Sequence, residues 1–173
     1  LFAKNGAKVI VADIHIDNAK KVAEHIGGYP VEVDVSNAGS VEKMKEKVFN
    51  EYQKVDILVN NAGTTHLPAP METIEEDEFD RVFNVNCKSV YLTAKHFVPH
   101  FKENKSGVIL NIASTAGVSP RPNLNWYNSS KGWMILASKT MAVELAPFGI
   151  RVNVVNPVAG ETPLLKSFLG EDT

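Results

Sequence analysis

At 173 residues, 44% hydrophobic and 22% charged, the chain has ordinary globular composition and room for one sizeable core. With 18 basic against 20 acidic residues and no block of like charge, it lacks the basic surface that nucleic acid or an anionic membrane would select. Cys87 is the single cysteine, which excludes an internal disulfide or a cysteine metal cluster, and no apolar run approaches a membrane span; a reducing, cytoplasmic setting is expected.

The chain opens on Leu1-Phe2-Ala3-Lys4-Asn5-Gly6, which reads as the last turn of a helix capped by Gly6 and cut from whatever precedes it. Residues 8–12 (KVIVA) form a β-branched run, read as a buried parallel strand. A helix follows over 17–26, with Ala19, Val22, Ala23 and Ile26 turned inward. A second strand is predicted at 31–35. Val41, Met44, Val48, Phe49 and Tyr52 mark one face of the next helix.

Residues 56–60 (DILVN) read as a third strand, leading into Asn60-Asn61-Ala62-Gly63 and a loop with Pro68 and Pro70. The spacing predicts one long helix over about 77–101, in which Pro99 marks the fraying end. A fourth strand at Gly107–Ile112, a helix at about 126–146 and a fifth strand at Ile150–Val155 complete the pattern. Short apolar strands alternating with longer helices imply an α/β fold of Rossmann type: a doubly wound parallel sheet with helices on both faces, in a single domain.

In such sheets the ligand lies beyond the carboxyl ends of the strands. Asp13 there either accepts the ribose hydroxyls of an adenosine, repelling a 2′-phosphate, or is a solvated loop carboxylate. Asp34 either accepts from an adenine amino group or caps the turn before Ser36. The small residues of Asn60-Asn61-Ala62-Gly63 allow backbone to approach a flat ligand, or else serve a turn with positive φ. Asn86, a poor helix former inside a helical pattern, points to a kink or a held water, or is an exposed amide.

Tyr127 and Lys131, four residues apart, share one helix face. A tyrosine hydroxyl is too weak an acid for proton transfer near neutrality unless a nearby ammonium favours its phenolate. Ser114, thirteen residues before Tyr127, follows the fourth strand closely enough for its hydroxyl to hold a substrate oxygen over the same helix. The five histidines form no metal-ligand spacing and read mostly as surface residues. Trp126 and Trp133 read as packing anchors, and Cys87 as a small core residue.

Together, Asn60-Asn61-Ala62-Gly63, Asn86, Ser114, the Tyr-Asn-Ser-Ser-Lys run at 127–131, and Asn156-Pro157 with Thr162 resemble the short-chain dehydrogenase/reductases, over essentially the whole chain. The resemblance implies Tyr127 as catalytic acid/base, Ser114 orienting the substrate oxygen, Lys131 lowering the tyrosine pKa and binding the nicotinamide ribose, and Asn86 holding a relay water. It places Asp13 with Ile14, and Asp34 with Val35, at the adenosine ribose and adenine. Asn60, Ala62 and Gly63 border the adenosine side, Pro157, Val158 and Thr162 the nicotinamide, and Asp56 steadies the sheet. The cofactor implied is NAD rather than NADP, no metal is implied, and the substrate is a small alcohol or carbonyl compound.

Two departures stand out. The family's Gly-rich turn and first strand would lie before Leu1, so the chain is expected to be one partial domain (1–173), short at both ends, that binds cofactor poorly. Val158 also stands where the family has Gly, with Gly160 two residues later. The subgroup resembled contains 3-oxoacyl-acyl-carrier-protein reductases and sugar dehydrogenases, and a homodimer or tetramer packed through the helices around 77–101 and 126–146 is implied. A non-catalytic nucleotide-binding relative and a sugar-nucleotide epimerase or dehydratase are the rival readings.

Overall fold

The computed structural model describes residues 1–158, 160 and 163–168, and falls into two compact units, Leu1–Val55 and Asp56–Thr173. In the first unit, strand β1 (Ile10–Asp13) runs parallel to β2 (Tyr29–Glu32), with Ile10 opposite Tyr29 and Asp13 opposite Glu32. Helix α1 (Ile16–Ile26) connects them, ended by Gly27 at φ +68°. Helix α2 (Ala38–Tyr52) follows, started by Asn37, whose side chain accepts from the Ser40 N–H at 3.0 Å.

Two expectations shift here. The second strand begins two residues early and ends at Glu32, because the Tyr29 N–H reaches the Val9 carbonyl and the Val33 N–H the Asp13 carbonyl, bracketing the ladder. Pro30 sits inside it, which a strand paired on one side tolerates. Val22, expected to face inward, is 48% exposed; Ala19 and Ala23 carry the buried stripe of α1. On α2, Val41, Met44 and Val48 are buried as their spacing predicts.

In the second unit, β3 (Ile57–Asn60), β4 (Gly107–Ile112) and β5 (Ile150–Val155) form a parallel sheet in the order β3-β4-β5. The long helix predicted over 77–101 is three pieces in series. They are α3 (Glu76–Phe83), a π-helical stretch Asn84–Lys88, and α4 (Ser89–Asn104). Pro99 lies inside α4 and does not end it; the helix stops where Lys105 takes a left-handed conformation, φ +48°, and its N–H returns to Phe101 and Lys102. Helix α5 (Asn125–Leu145) packs on β5, and a short α6 (Pro163–Phe168) closes the described chain.

The interior around Phe101, Ile109 and Met134 is threaded by a buried polar chain. Thr93 donates to Asn60 Oδ1 (2.9 Å), Asn60 Nδ2 to Asn111 Oδ1 (2.7 Å), and Asn111 Nδ2 to Ser138 Oγ (2.8 Å). It links α4, β3, β4 and α5 by side chains, each bond contributing on the order of 1 kcal/mol and costing more if broken on one side. The Asp56 carbonyl accepts from the Val108 N–H, lengthening the β3–β4 ladder by one step. No helix among the described residues is long and apolar enough to cross a membrane.

Candidate active site

In the second unit the chain leaves β4 at Ile112, and Ser114 opens a 3-10 turn (Thr115–Gly117) by accepting from the Ala116 N–H at 3.1 Å. The Thr115 N–H and hydroxyl both reach the Pro157 carbonyl, tying this turn to the segment after β5. Gly117 lets the turn lie directly on α5: a β-carbon there would stand 2.7 Å from the Lys131 carbonyl carbon and 2.8 Å from the Gly132 nitrogen. No other residue fits that approach without moving the helix.

Helix α5 presents Tyr127, Ser130 and Lys131 on one face, all buried. Tyr127 packs its ring edge-on against Phe168, centroids 5.0 Å apart. Burial pushes its hydroxyl pKa up from the ordinary value; a hydroxyl contact with Ser114 and the charge of Arg121 pull the other way. Lys131 is 4% exposed. Its ammonium donates to the Ile112 carbonyl at 2.9 Å and lies 6.0 Å from the Tyr127 ring centre. With no carboxylate partner among the described residues, burial lowers its pKa to about 8.

In the ligand-free chain the groups pulling the Tyr127 pKa down are Ser114 and Arg121, while the Lys131 ammonium is engaged by the Ile112 carbonyl. One-turn spacing sets the two β-carbons side by side, but a long flexible stem carries its charge to an acceptor, and the acceptor present is Ile112.

Asn86 sits in the π-helical stretch, fully buried. Its Oδ1 accepts from the Thr64 N–H, while Nδ2 donates to the Thr64 carbonyl and to Ser130 Oγ, each at 2.9 Å. Ser130 in turn donates to the Tyr127 carbonyl. Asn86 therefore fastens the loop after β3 to α5, and its N–H groups are spent on protein, so they are not what would hold a water. A π-bulge is a common way to aim one side chain out of register, and the misfit of asparagine in this helix was its trace in the sequence.

The same loop brings Gly63 close. Its φ is not positive, so a left-handed turn is not why glycine stands there. A β-carbon would come 3.2 Å from Lys131 Nζ and 3.5 Å from Asn86 Oδ1, so the bare backbone is what lets this loop lie against the buried ammonium. Asn60 is turned the other way, its amide committed to Thr93 and Asn111, and any contact with an adenosine cannot come from that side chain. Ala62 is exposed, and Val158 is 72% exposed. Thr162 lies outside the described residues.

In the first unit, Asp13 ends β1 half-buried and accepts from the His15 N–H at 2.8 Å. Asp34 and Val35 lie past β2 and not at its end; Asp34 Oδ1 accepts from the Ser36 N–H and hydroxyl, so the carboxylate caps that turn. Ile14 is 56% exposed.

Arg81 and His66 escaped the sequence reading. Arg81 holds the loop after β3 through Thr64 Oγ1 and the Thr65 carbonyl, while pairing with Glu78. His66, read as a surface residue, is 1% exposed, with Nδ1 2.8 Å from the Leu67 carbonyl. Nothing local in the sequence distinguishes it from an exposed histidine. The one available signal for Ser130 was its place three residues after Tyr127 on the same face.

The family model for short chain dehydrogenases matches residues 1–172. The chain belongs to the short-chain dehydrogenase family. It is 44% identical over 174 residues to the 4-formylbenzenesulfonate dehydrogenase of Comamonas testosteroni, covering 97% of this chain and 69% of that relative. With the 3-oxoacyl-[acyl-carrier-protein] reductase of Thermotoga maritima it shares 37% identity over 169 residues, 95% of this chain and 68% of the relative. A crystal structure of the 3-ketoacyl-(acyl-carrier-protein) reductase of Brucella melitensis complexed with NADH superimposes with a TM-score of 0.95 at 48% identity, covering 96% of this chain and 72% of that one. The fold is thus the parallel α/β fold of Rossmann type, in a family of oxidoreductases that act on alcohol or carbonyl groups with nicotinamide cofactors. This dehydrogenase spans about two-thirds of the length of those relatives.

Proposed function

We propose that this short-chain dehydrogenase interconverts a secondary alcohol and its ketone with NAD(H), using Tyr127 as the acid and base. The observation that carries the reading is the joint burial of Tyr127, Ser114, Lys131 and Asn86, with the bare backbone of Gly63 lying against Lys131 and Asn86. An uncompensated ammonium is costly to bury, and its retention argues for a ligand that it serves.

The residues fit a nicotinamide cofactor. Gly63 keeps any side chain off the Lys131 ammonium, Lys131 offers N–H donors beyond the one bound by Ile112, and Asp13 is a strand-end carboxylate suited to ribose hydroxyls. When bound, NADH supplies the hydride that reduces the carbonyl carbon. Ser114 donates a hydrogen bond to the substrate oxygen, and Tyr127 passes its proton to that oxygen, leaving a phenolate. Lys131 would stabilise that phenolate and hold the nicotinamide ribose, Pro157, Val158 and Thr162 would serve the carboxamide, and Asn86 keeps the loop after β3 seated. Asp34, with Ile14 and Val35, takes the adenine side, and Ala62 and the Asn60 backbone border it.

The substrate is a small carbonyl or alcohol compound. The 4-formylbenzenesulfonate dehydrogenase and the 3-oxoacyl-[acyl-carrier-protein] reductase among its relatives make an aryl carbonyl and a 3-oxoacyl thioester the first to try. The two units belong, on this reading, to one nucleotide-binding domain, which the family match across both supports. Tyr91, Trp133, Leu136 and Val143 leave large apolar surface on α4 and α5, which fits a homodimer or tetramer. A buried lone cysteine fits the cytoplasm.

The test is oxidation of NADH and NADPH against a panel of ketones, sugars and thioesters. NADH should be preferred, and Asp13→Ser should narrow the ratio of kcat/KM values by at least about tenfold, because the carboxylate that repels a 2′-phosphate is gone. A native preference for NADPH would overturn the assignment of Asp13. Gly63→Val should raise the Kd for NADH roughly tenfold or more by pressing on Lys131 Nζ, with little change in Tm because the position is exposed and the atom met is the end of a flexible side chain. Unchanged NADH affinity would show that the cofactor does not lie there.

A further inference from the structure

In the second unit, residues 70–72, 120–123, 125 and 128 line an open cleft of about 460 Å³. It is a built feature: the Ala69 N–H reaches the Asn123 carbonyl at 3.0 Å, and Trp126 Nε1 reaches the Met71 carbonyl at 3.2 Å, so the two loops are fastened across it. Asn123 holds a left-handed conformation, φ +62°, to make its turn.

Five polar side chains line the cleft, Glu72, Arg121, Asn123, Asn125 and Asn128, of which Arg121 and Glu72 carry charge. Asn128 follows Tyr127 directly and is 8% exposed. Its Nδ2 donates to the Arg121 carbonyl at 2.8 Å, whereas its Oδ1 is buried with no partner. A flipped amide would turn oxygen against that carbonyl, so the orientation is determined, and a buried acceptor left unsatisfied is rare unless something else supplies the donor. Arg121 is exposed, and its guanidinium has no ion pair among the described residues. Its positive charge pulls the Tyr127 pKa down against the effect of burial.

We propose that this cleft recognises a substrate bearing an oxyanion, Arg121 taking the anion while Glu72 and the asparagine amides offer acceptors to an uncharged donor such as a carboxamide. The inference rests on the dehydrogenase reading above, since the reacting carbonyl must reach Tyr127 while its polar end lies in the cleft. Glu72, on the facing wall, disfavours a second negative charge. The class expected is therefore a carbonyl compound with one carboxylate, sulfonate or phosphate ester group, and a neutral, purely apolar ketone is disfavoured.

The test uses three probes sharing one ketone: para-acetylbenzoate, its carboxamide and its methyl ester. Dissociation constants are measured by calorimetry on the NADH-bound protein, and KM by NADH oxidation. The native protein should bind the carboxylate about tenfold more tightly than the ester, with the amide between them. Arg121→Gln should remove the advantage of carboxylate over amide and leave that of amide over ester, and Arg121→Lys should restore most of the former. No preference for the carboxylate over the ester, or a preference that survives Arg121→Gln, would overturn the subsite. Calorimetry reads the subsite and turnover reads the chemistry, so binding in the expected order without reduction of any carbonyl in the wider panel sinks the dehydrogenase reading alone.

Discussion

Replacing Tyr127 with phenylalanine should lower kcat for carbonyl reduction about a thousandfold while leaving NADH affinity within roughly a factor of two. The substitution keeps the ring, its burial and its edge-on packing against Phe168, and removes only the hydroxyl that Ser114 contacts. The Tm should therefore stay within a few degrees, and far-UV circular dichroism should not change. Burial holds the Tyr127 pKa above its ordinary value, so the side chain is a phenol throughout the neutral range. Native carbonyl reduction, which consumes that proton, should be insensitive to Tyr127 ionisation near neutrality. Alcohol oxidation, which needs a proton acceptor, should climb with pH. A Phe variant retaining more than a tenth of native turnover would remove Tyr127 as the proton donor and leave Ser114 or water in its place.

The fold was legible wherever apolar runs were long enough to impose a period. β4 and β5 stand where their β-branched runs predict, and the buried stripe of α2 follows its spacing. The errors cluster where tertiary bonds override local preference. Pro30 would not be placed in a strand from propensity, yet the flanking bonds to Val9 and Asp13 put it there. Pro99 reads as a stop but falls inside α4, which already has the Phe101 contacts of a core helix.

At the site, the shared face of Tyr127 and Lys131 was visible as a spacing, because a helix converts sequence distance into direction. The end of a long side chain was not. Lys131 Nζ went to the Ile112 carbonyl, and the Asn60 amide turned into the core between Thr93 and Asn111. Those choices depend on which acceptors the other elements bring, which no local window contains. Gly63 was visible as a small residue, but its reason, a near approach to Lys131, emerges only from the assembled unit.

Lys131→Met should abolish turnover and at the same time make the cofactor-free protein more stable at neutral pH, by about 2 kcal/mol, or a Tm roughly 5 °C higher. In the folded chain the Lys131 pKa falls from 10.5 to about 8, so folding disfavours its proton. The penalty is fully present below about pH 8 and is relieved as pH rises from about 8 to 10.5, where the unfolded chain gives up the same proton. Its full size is on the order of 3 kcal/mol. Methionine fills similar volume without the charge; the unpaired Ile112 carbonyl that it leaves costs about 1 kcal/mol, which sets the net gain. The stabilisation should shrink in the alkaline range, because native Lys131 is then neutral too. Saturating NADH should narrow the gap from the other side, by giving the native ammonium acceptors that methionine cannot use. If the Met variant is instead less stable at pH 7 than the native protein, the ammonium is a structural tether of β4 to α5, and the ligand-serving role assigned to it loses its physical basis.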